Sequence, residues 1–205
     1  MIRDVGIVVL AFLCGSLPMG LIVSRVFYRT DIRNQGSGNI GAANAARTLG
    51  RGAGALVLVL DALKGYVPAL IAQQAGGLSL ALIAGFVAIA GHCYSPWLHF
   101  RGGKGVATEL GVLFALAWQA ALIFMAVWAL AVLATGFASV GSLLASLSTI
   151  ATLWYFTDSR GAIYAVCTCA LIAWRHRENI QRLAAGRENR LIGASGAASN
   201  PGGQP

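Results

Sequence analysis

The stretch GVATELGVLFALAWQAALIFMAVWALAVLA, residues 105–134, decides the fold of this chain. Glu109 is its one charged residue. A bilayer core about 30 Å thick takes about 20 helical residues per crossing, so the run is too long for one crossing and short for two. The stretch belongs in lipid, and the number of times it crosses sets the topology of the chain.

The composition of the whole chain agrees with a membrane protein. Of the 205 residues, 57% are hydrophobic and 11% are charged, and the mean hydropathy of +0.70 is too high for a soluble domain of this length. Further apolar runs cover residues 5–24, 53–75, 78–98, 137–157 and 160–174. We predict an all-α fold, a polytopic membrane helix bundle formed by residues 1–192 as one domain. Residues 193–205 are rich in Gly, Ser, Ala and Pro, which predicts a disordered tail.

Arginine and lysine residues indicate the orientation of the bundle. The formal net charge is +8, and the basic residues concentrate in segments 25–52, 99–104 and 175–192. The positive-inside tendency puts all three segments in the cytoplasm, so residues 105–174 must cross an even number of times. Four crossings, with a break near Trp118, give about seven helices with the N-terminus outside and the C-terminus cytoplasmic. Two crossings, giving five helices, remain the alternative.

The first motif, GSGNIGAANAAR at residues 36–47, contains a G-x-G-x-x-G spacing. A dinucleotide-binding fold needs a strand before this loop, whereas a membrane helix precedes it here. Glycines can nevertheless turn backbone N–H groups toward an anion. We therefore expect a phosphate-binding loop, and an interfacial turn without a ligand is the alternative. The predicted binding residues are Gly36, Ser37, Gly38, Asn39 and Arg47.

The second motif is FRGGKGVAT at residues 100–108. It lacks the Ser or Thr that follows lysine in a Walker phosphate loop. Free N–H groups of a helix that opens near Gly105, together with Gly102, Gly103 and Lys104, could still bind a phosphate. His92 lies upstream and is either an acid or base or a structural histidine.

The third motif is RHRENIQRLAAGRE at residues 175–188. His176 and Asn179 lie at i and i+3, so on a helix they share a face that can look back at the bundle. A basic helix lying on anionic lipid explains the arginines equally well, but it does not explain the histidine and the asparagine.

Ionisable residues inside apolar runs are expensive and are functional candidates. Asp61 and Lys64 lie at i and i+3 in the second run, either as an ion pair that braces the bundle or in contact with a substrate. Glu109 is one turn into its helix and is expected to pair with an active-site cation.

Together the blocks GSGNIGAAN-x-x-R, D-x-x-K-G, G-H-x-x-x-P with FRGGKGVAT, and R-H-x-x-N-I-x-R-L-x-x-G-x-E resemble the bacterial acyl-phosphate:glycerol-3-phosphate acyltransferase family, the PlsY type. The match spans about residues 5–190. Ala43 departs from the pattern, because the family usually has Thr there. The resemblance implies that Ser37, Arg47 and Lys104 hold phosphate, that His176 and Asn179 orient the acceptor and the reacting carbonyl, and that Ser139 and Ser142 donate hydrogen bonds.

The resemblance also implies the reaction and the partners. Acyl phosphate, a lipid donor made by an upstream acyl-phosphate synthase, acylates the 1-hydroxyl of sn-glycerol 3-phosphate in phospholipid biosynthesis. The site faces the cytoplasm from the bacterial inner membrane, where the chain contacts membrane lipid. No cofactor, metal or nucleic acid is expected. A membrane carrier for phosphorylated solutes is the alternative function, and a structural scaffold is a third.

Overall fold

The computed structural model describes residues 1–192, so the predicted tail lies outside the described part of the chain. Within residues 1–192 the chain forms helices and turns and no strand. The α-helices are α1 (Ile2–Ser16), α2 (Met19–Tyr28), α3 (Ala42–Thr48), α4 (Arg51–Cys93), α5 (Val106–Leu116), α6 (Trp118–Thr135), α7 (Ala138–Phe156), α8 (Ser159–Arg175) and α9 (Arg177–Ala184), and short 3-10 turns cover Ile32–Asn34 and Pro96–Leu98. The predicted all-α class is confirmed.

The apolar run at residues 105–134 breaks into two helices. Ala117 adopts an extended conformation, with φ −159° and ψ 97°, so α5 ends and α6 begins within one residue of the expected position. The result is four helices between residues 105 and 175. Helix α4 contains 43 residues and is interrupted by the non-helical backbone of Gly77, which separates two halves that correspond to two predicted runs.

Not every helix is long enough to cross alone. Three helical segments, at residues 51–98, 118–135 and 138–156, are long and apolar enough to cross a membrane. The bent pair α1–α2 makes a fourth if it is counted as one span. Helix α5 is apolar but short.

The first apolar run differs from the single helix predicted for residues 5–24. It forms α1 and α2, which meet at an angle of 41°. Pro18 cannot donate a backbone hydrogen bond, and the carbonyl groups before it lose their helical partners. Ser95 Oγ donates to the Ser16 carbonyl at 2.6 Å, and Lys64 Nζ donates to the Leu17 carbonyl at 2.7 Å. Lipid offers no such donors, so these two side chains stabilise the bend.

Glycines let the helices around α4 approach one another at backbone distance. A Cβ on Gly15 of α1 would lie 2.6 Å from the Cα of Ala88, and one on Gly111 of α5 would lie 3.0 Å from the Cα of Ala62. Close packing of this kind drives helix association in lipid, where the surrounding chains are as apolar as the side chains. Helix α4 is therefore the central element, held between α1 and α5.

Candidate active site

All three sequence motifs line one cavity of about 140 Å³ at one end of the bundle. Its polar and charged lining residues are Ser37, Asn39, Asn44, Arg47, Asp61, His92, Lys104, Ser139, Ser142, His176, Asn179 and Glu188. Asn44 and Glu188 had no predicted role. Gly36, Gly38, Gly102, Gly103, Lys64 and Glu109 do not line the cavity, although each had a predicted role.

Asn44 is the centre of the first motif. Its buried side-chain Nδ2 donates to the carbonyl groups of Gln35, at 3.0 Å, and Asn39, at 2.9 Å, and its Oδ1 accepts from the Ser37 N–H at 2.9 Å. One amide thus replaces the backbone partners that an irregular loop lacks. The asparagine stands inside the motif, but only the three-dimensional loop shows that it binds residues five to nine positions away.

Three N–H groups of the loop bind within the loop itself and are not free for an anion, contrary to the expectation from its glycines. The N–H of Ser37 donates to Asn44, that of Gly38 donates to the Gln35 carbonyl, and that of Gly41 donates to the Asn39 side chain. Gly36 and Gly38 have φ of +57° and +70°, so they serve the turn itself. The cavity is lined by the side chains of Ser37, Asn39 and Arg47, and by Gly41, Ala42 and Ala43 at the start of α3.

Gly102 and Gly103 hold the second motif against the end of α4. Their N–H groups donate to the carbonyl groups of Cys93 and His92, at 3.1 and 3.0 Å. Their own carbonyl groups accept from the guanidinium of Arg175, at 2.9 Å for Gly102 and 3.1 Å for Gly103. The two glycines are buried and position Lys104 without lining the cavity. Arg175 had no predicted role, although it stands next to His176 in the third motif.

Lys104 supplies a cation to the cavity. Its Nζ donates to Asn179 Oδ1. The pKa of Lys104 is lowered to about 8, chiefly by burial; the negative charge of Glu188 opposes this shift, and the positive charges of Arg182 and Arg47 add to it. Helix α5 begins directly afterwards, with Gly105 at φ +88°, so the first N–H groups of the helix follow the lysine.

His176 is the junction between α8 and α9, so the predicted face of His176 and Asn179 is formed across a helix break. Both side chains are buried against the bundle. The Nδ1 of His176 lies 2.8 Å from the Ile172 carbonyl, which can only accept, so Nδ1 carries the proton. Burial, reinforced by the charge of Lys104, lowers the pKa of His176 to about 4. The ring is neutral at pH 7, and its Nε2 is an acceptor.

Glu188 brings a carboxylate into this cationic cavity. Its Oε1 accepts from Ser139 Oγ at 2.9 Å and from Asn179 Nδ2, and its Oε2 accepts from Arg182 Nε at 2.8 Å. Burial favours the protonated form, but the hydrogen bonds from Asn179, Arg182 and Ser139 outweigh it and hold the pKa of Glu188 below its ordinary value. The carboxylate is therefore ionised.

Arg47 and Ser142 complete the polar wall. Arg47 donates to the Asn189 carbonyl at 3.3 Å, and burial lowers the pKa of its guanidinium without removing the charge. Ser142 Oγ donates to the Ala138 carbonyl at 2.7 Å. Its lone pairs remain available, and the hydroxyl proton can rotate toward a bound anion.

The ionisable residues inside the bundle divide into two groups. Asp61 and Lys64 form an ion pair at 2.8 Å, and His92 Nδ1 lies 3.6 Å from the same Asp61 oxygen. Asp61 and His92 reach the cavity wall, whereas Lys64 turns to the α1–α2 bend. The expectation that Glu109 pairs with a cation is wrong: among the described residues its carboxyl group accepts from Ser146 Oγ at 3.0 Å and forms no ion pair.

The chain matches a known protein family over most of its length. Residues 5–186 match the family model described as "Glycerol-3-phosphate acyltransferase". The chain belongs to this family. The glycerol-3-phosphate acyltransferase of Rhodopseudomonas palustris (strain BisB5) is 45% identical over 89% of this chain and 93% of its own length, and that of Nitrobacter winogradskyi is 45% identical over 91% and 96%.

Solved structures of the family share the fold. The crystal structure of PlsY (YgiH), an integral membrane glycerol 3-phosphate acyltransferase, in its glycerol 3-phosphate form has a TM-score of 0.88 and 40% identity, covering 92% of this chain and 95% of that one. The lysophosphatidic acid form has a TM-score of 0.85 and 38% identity, with the same coverage. The family resemblance inferred from the motifs is confirmed, and the chain has the fold of an integral membrane protein.

Proposed function

We propose that this chain transfers a fatty acyl group from acyl phosphate to the 1-hydroxyl of sn-glycerol 3-phosphate, giving lysophosphatidate and phosphate. The observation that carries the proposal is the convergence of three distant motifs on one cavity that holds Lys104 and Arg47. Both substrates carry phosphate, and two cations beside hydroxyl groups suit two anions. The glycerol 3-phosphate and lysophosphatidic acid forms of PlsY support the same reaction.

The reaction needs positioning and charge stabilisation more than a covalent intermediate. The oxygen of the 1-hydroxyl attacks the acyl carbon, the bond from that carbon to the phosphate oxygen breaks, and the departing phosphate takes the hydroxyl proton. Lys104 stabilises the charge that develops on the carbonyl oxygen and the leaving phosphate. His176 accepts a hydrogen bond from the hydroxyl through neutral Nε2 and so orients it.

The remaining polar residues bind phosphate in this proposal. Arg47 grips the phosphate of glycerol 3-phosphate with its planar fork, and Ser37 and Asn39 add donors beside it. Ser139 and Ser142 face them across the cavity from α7. The methyl group of Ala43 lies in the lining where the family usually has a threonine hydroxyl, so the hydroxyl groups that line the cavity are those of Ser37, Ser139 and Ser142.

We place the chain in the bacterial inner membrane with seven crossings, formed by α1–α2, the two halves of α4, and α5 to α8. The N-terminus is outside and the C-terminus is cytoplasmic. The three basic segments support this orientation, because each contributes residues to the lining of the cavity. The hydrogen bond from Arg160, at the start of α8, to Ser79, two residues after Gly77, brings these two helix ends together, as expected if both lie on the outer side.

Activity of the purified protein tests the function. We expect detergent-solubilised protein, mixed with palmitoyl phosphate and glycerol 3-phosphate, to form lysophosphatidate and inorganic phosphate in equal amounts, measured by mass spectrometry and a phosphate assay. Protein that yields free palmitate, or no product, while catalysing exchange of glycerol 3-phosphate across proteoliposomes would instead identify a carrier.

A further inference from the structure

A chain of hydrogen bonds runs through the cavity wall from the second motif to the third. Lys104 Nζ donates to Asn179 Oδ1, and Asn179 Nδ2 donates to Glu188 Oε1. Glu188 also accepts from Ser139 and Arg182. These hydrogen bonds therefore connect the start of α5 with α7 and α9 through one carboxylate.

The donor and acceptor chemistry of Lys104, Asn179 and Glu188 fixes the direction of each hydrogen bond between them. An ionised carboxylate only accepts, so the amide must turn its NH₂ toward Glu188. The carbonyl oxygen of the same amide then faces Lys104, which only donates. A flipped amide would place NH₂ against the ammonium group and its oxygen against the carboxylate, so both contacts would be repulsive. The carboxylate thus selects one of the two amide orientations.

The segment that carries Glu188 is itself held in place. The Arg187 N–H donates to the Arg182 carbonyl at 2.8 Å, and the Leu191 N–H donates to the carbonyl of Gly136, in the turn between α6 and α7, at 2.7 Å. The Glu188 side chain is only 4% exposed. A buried carboxylate beside a phosphate site opposes anion binding, so its presence calls for a compensating role.

We propose that Glu188 is a positioning residue, which orients the Asn179 amide so that its oxygen holds the Lys104 ammonium group toward the cavity. The proposal rests on the proposed function for the role of Lys104. Two of the three N–H groups of Lys104 then remain for the substrate phosphates and the developing oxyanion. Glu188 itself does not contact the reacting atoms.

A variant that removes the charge but keeps the shape tests the proposal. Glu188→Gln lets the amide flip, and we expect kcat to fall roughly 10- to 100-fold with a smaller change in KM. The matched control is Glu178→Gln, because Glu178 also carries a charge that acts on Lys104, but its side chain is 68% exposed and its ion-pair partner is Arg177. The control should retain nearly full activity.

The titration of Lys104 gives a readout that does not depend on catalysis. The charged and titratable groups around Lys104 are Glu188, Arg182, Arg47, Glu178 and His176. The only other lysine is the buried Lys64, so reaction of Lys104 with an amine reagent can be followed by peptide mass spectrometry as pH varies. The negative charge of Glu188 raises the Lys104 pKa, so Glu188→Gln should move the midpoint of this reaction below pH 8, and Glu178→Gln should move it less.

A double variant separates positioning from a loss of folding. Asn179→Asp puts two carboxylates face to face, and adding Glu188→Gln rebuilds a directional chain in which Gln donates to Asp and Asp accepts from Lys104. We therefore expect Glu188→Gln to raise activity at least several-fold in the Asn179→Asp background, although it lowers activity in the wild type.

The experiments distinguish failure of the positioning role of Glu188 from failure of the proposed acyltransferase function. Additive losses in the double variant, or an unchanged Lys104 midpoint in folded Glu188→Gln, would overturn the positioning role. Absence of lysophosphatidate from the wild type would reject the proposed function, while the Lys104 midpoint would still test the hydrogen-bond chain.

Discussion

At the scale of single residues, the cavity combines a cation and a neutral hydrogen-bond acceptor, and burial is the main influence on the charge of each. Lys104 has a pKa of about 8 and His176 has a pKa of about 4. The lysine loses its charge as pH rises through about 8, and the histidine loses its acceptor as pH falls through about 4. Between these values both groups have the charge that the proposed reaction needs.

The pH profile of turnover should therefore be flat where an ordinary histidine titrates. We expect constant kcat from about pH 5.5 to 7, a fall above pH 8, and no transition near the reference histidine pKa of about 6.5. His176→Ala should lower kcat about 100-fold or more without moving the alkaline limb. A wild-type transition near pH 6.5 that disappears in His176→Ala would mean that the ring is protonated during turnover.

Arg47 differs from Lys104 because its planar guanidinium group can donate hydrogen bonds to two phosphate oxygens at once. Arg47→Lys keeps the positive charge but removes the two-point hydrogen bonding to phosphate. We therefore expect the KM for glycerol 3-phosphate to rise about tenfold with little change in kcat. Steady-state kinetics at saturating acyl phosphate measure both constants. The exposed Arg29→Lys is the control, and an unchanged KM in Arg47→Lys would assign Arg47 to the loop alone.

At the scale of elements, the sequence predicts a break from the length of an apolar run and the placement of charge, and it misses features that distant partners stabilise. The length of the run 105–134, together with the basic segments on either side of residues 105–174, favoured a break near Trp118, and Ala117 provides it. The bend after Ser16 was not predicted, because it depends on donors from Ser95 and Lys64 far along the chain. Glu188 was missed for the same reason: its importance lies in its partners on α7 and α9, and periodicity does not report them.

The bend between α1 and α2 can be tested through Lys64. Lys64→Met removes the donor to the Leu17 carbonyl and leaves Asp61 without its cation, so we expect a loss of about 3–5 kcal/mol in unfolding free energy. The loss should appear as a lower melting temperature of the purified protein in detergent. Arg160→Met, which breaks the exposed pair with Asp158, is the control and should change the melting temperature little. Equal melting temperatures for both variants would contradict a stabilising role for Lys64.

At the scale of the whole molecule, the topology and the site depend on each other. Helix α5 has 11 residues and so spans about 16 Å at about 1.5 Å per residue, less than the hydrocarbon core. Its start, next to Lys104, is therefore recessed from one surface. In the proposed topology, a cavity recessed in this way would admit a lipid-bound acyl phosphate from the side and a soluble phosphate from the cytoplasm. Ser139 and Ser142 join it only if the turn at Gly136 returns to the same side.

The side on which that turn lies can be measured with single cysteines in a background without Cys14, Cys93, Cys167 and Cys169. Gly136 itself is unsuitable, because its φ is +80° and an added Cβ would lie 3.0 Å from Arg190 Nε. The neighbouring Thr135 is partly exposed, and Ser159, before α8, is exposed. With seven crossings, a membrane-impermeant thiol reagent added to intact spheroplasts should label Ser159→Cys and should label Thr135→Cys only after lysis. With five crossings, residues 105–134 form a single span, so Thr135→Cys would react from outside and Ser159→Cys would be shielded in lipid. That pattern would reject the seven-helix topology and would contradict the position of both serines in the cavity beside Lys104.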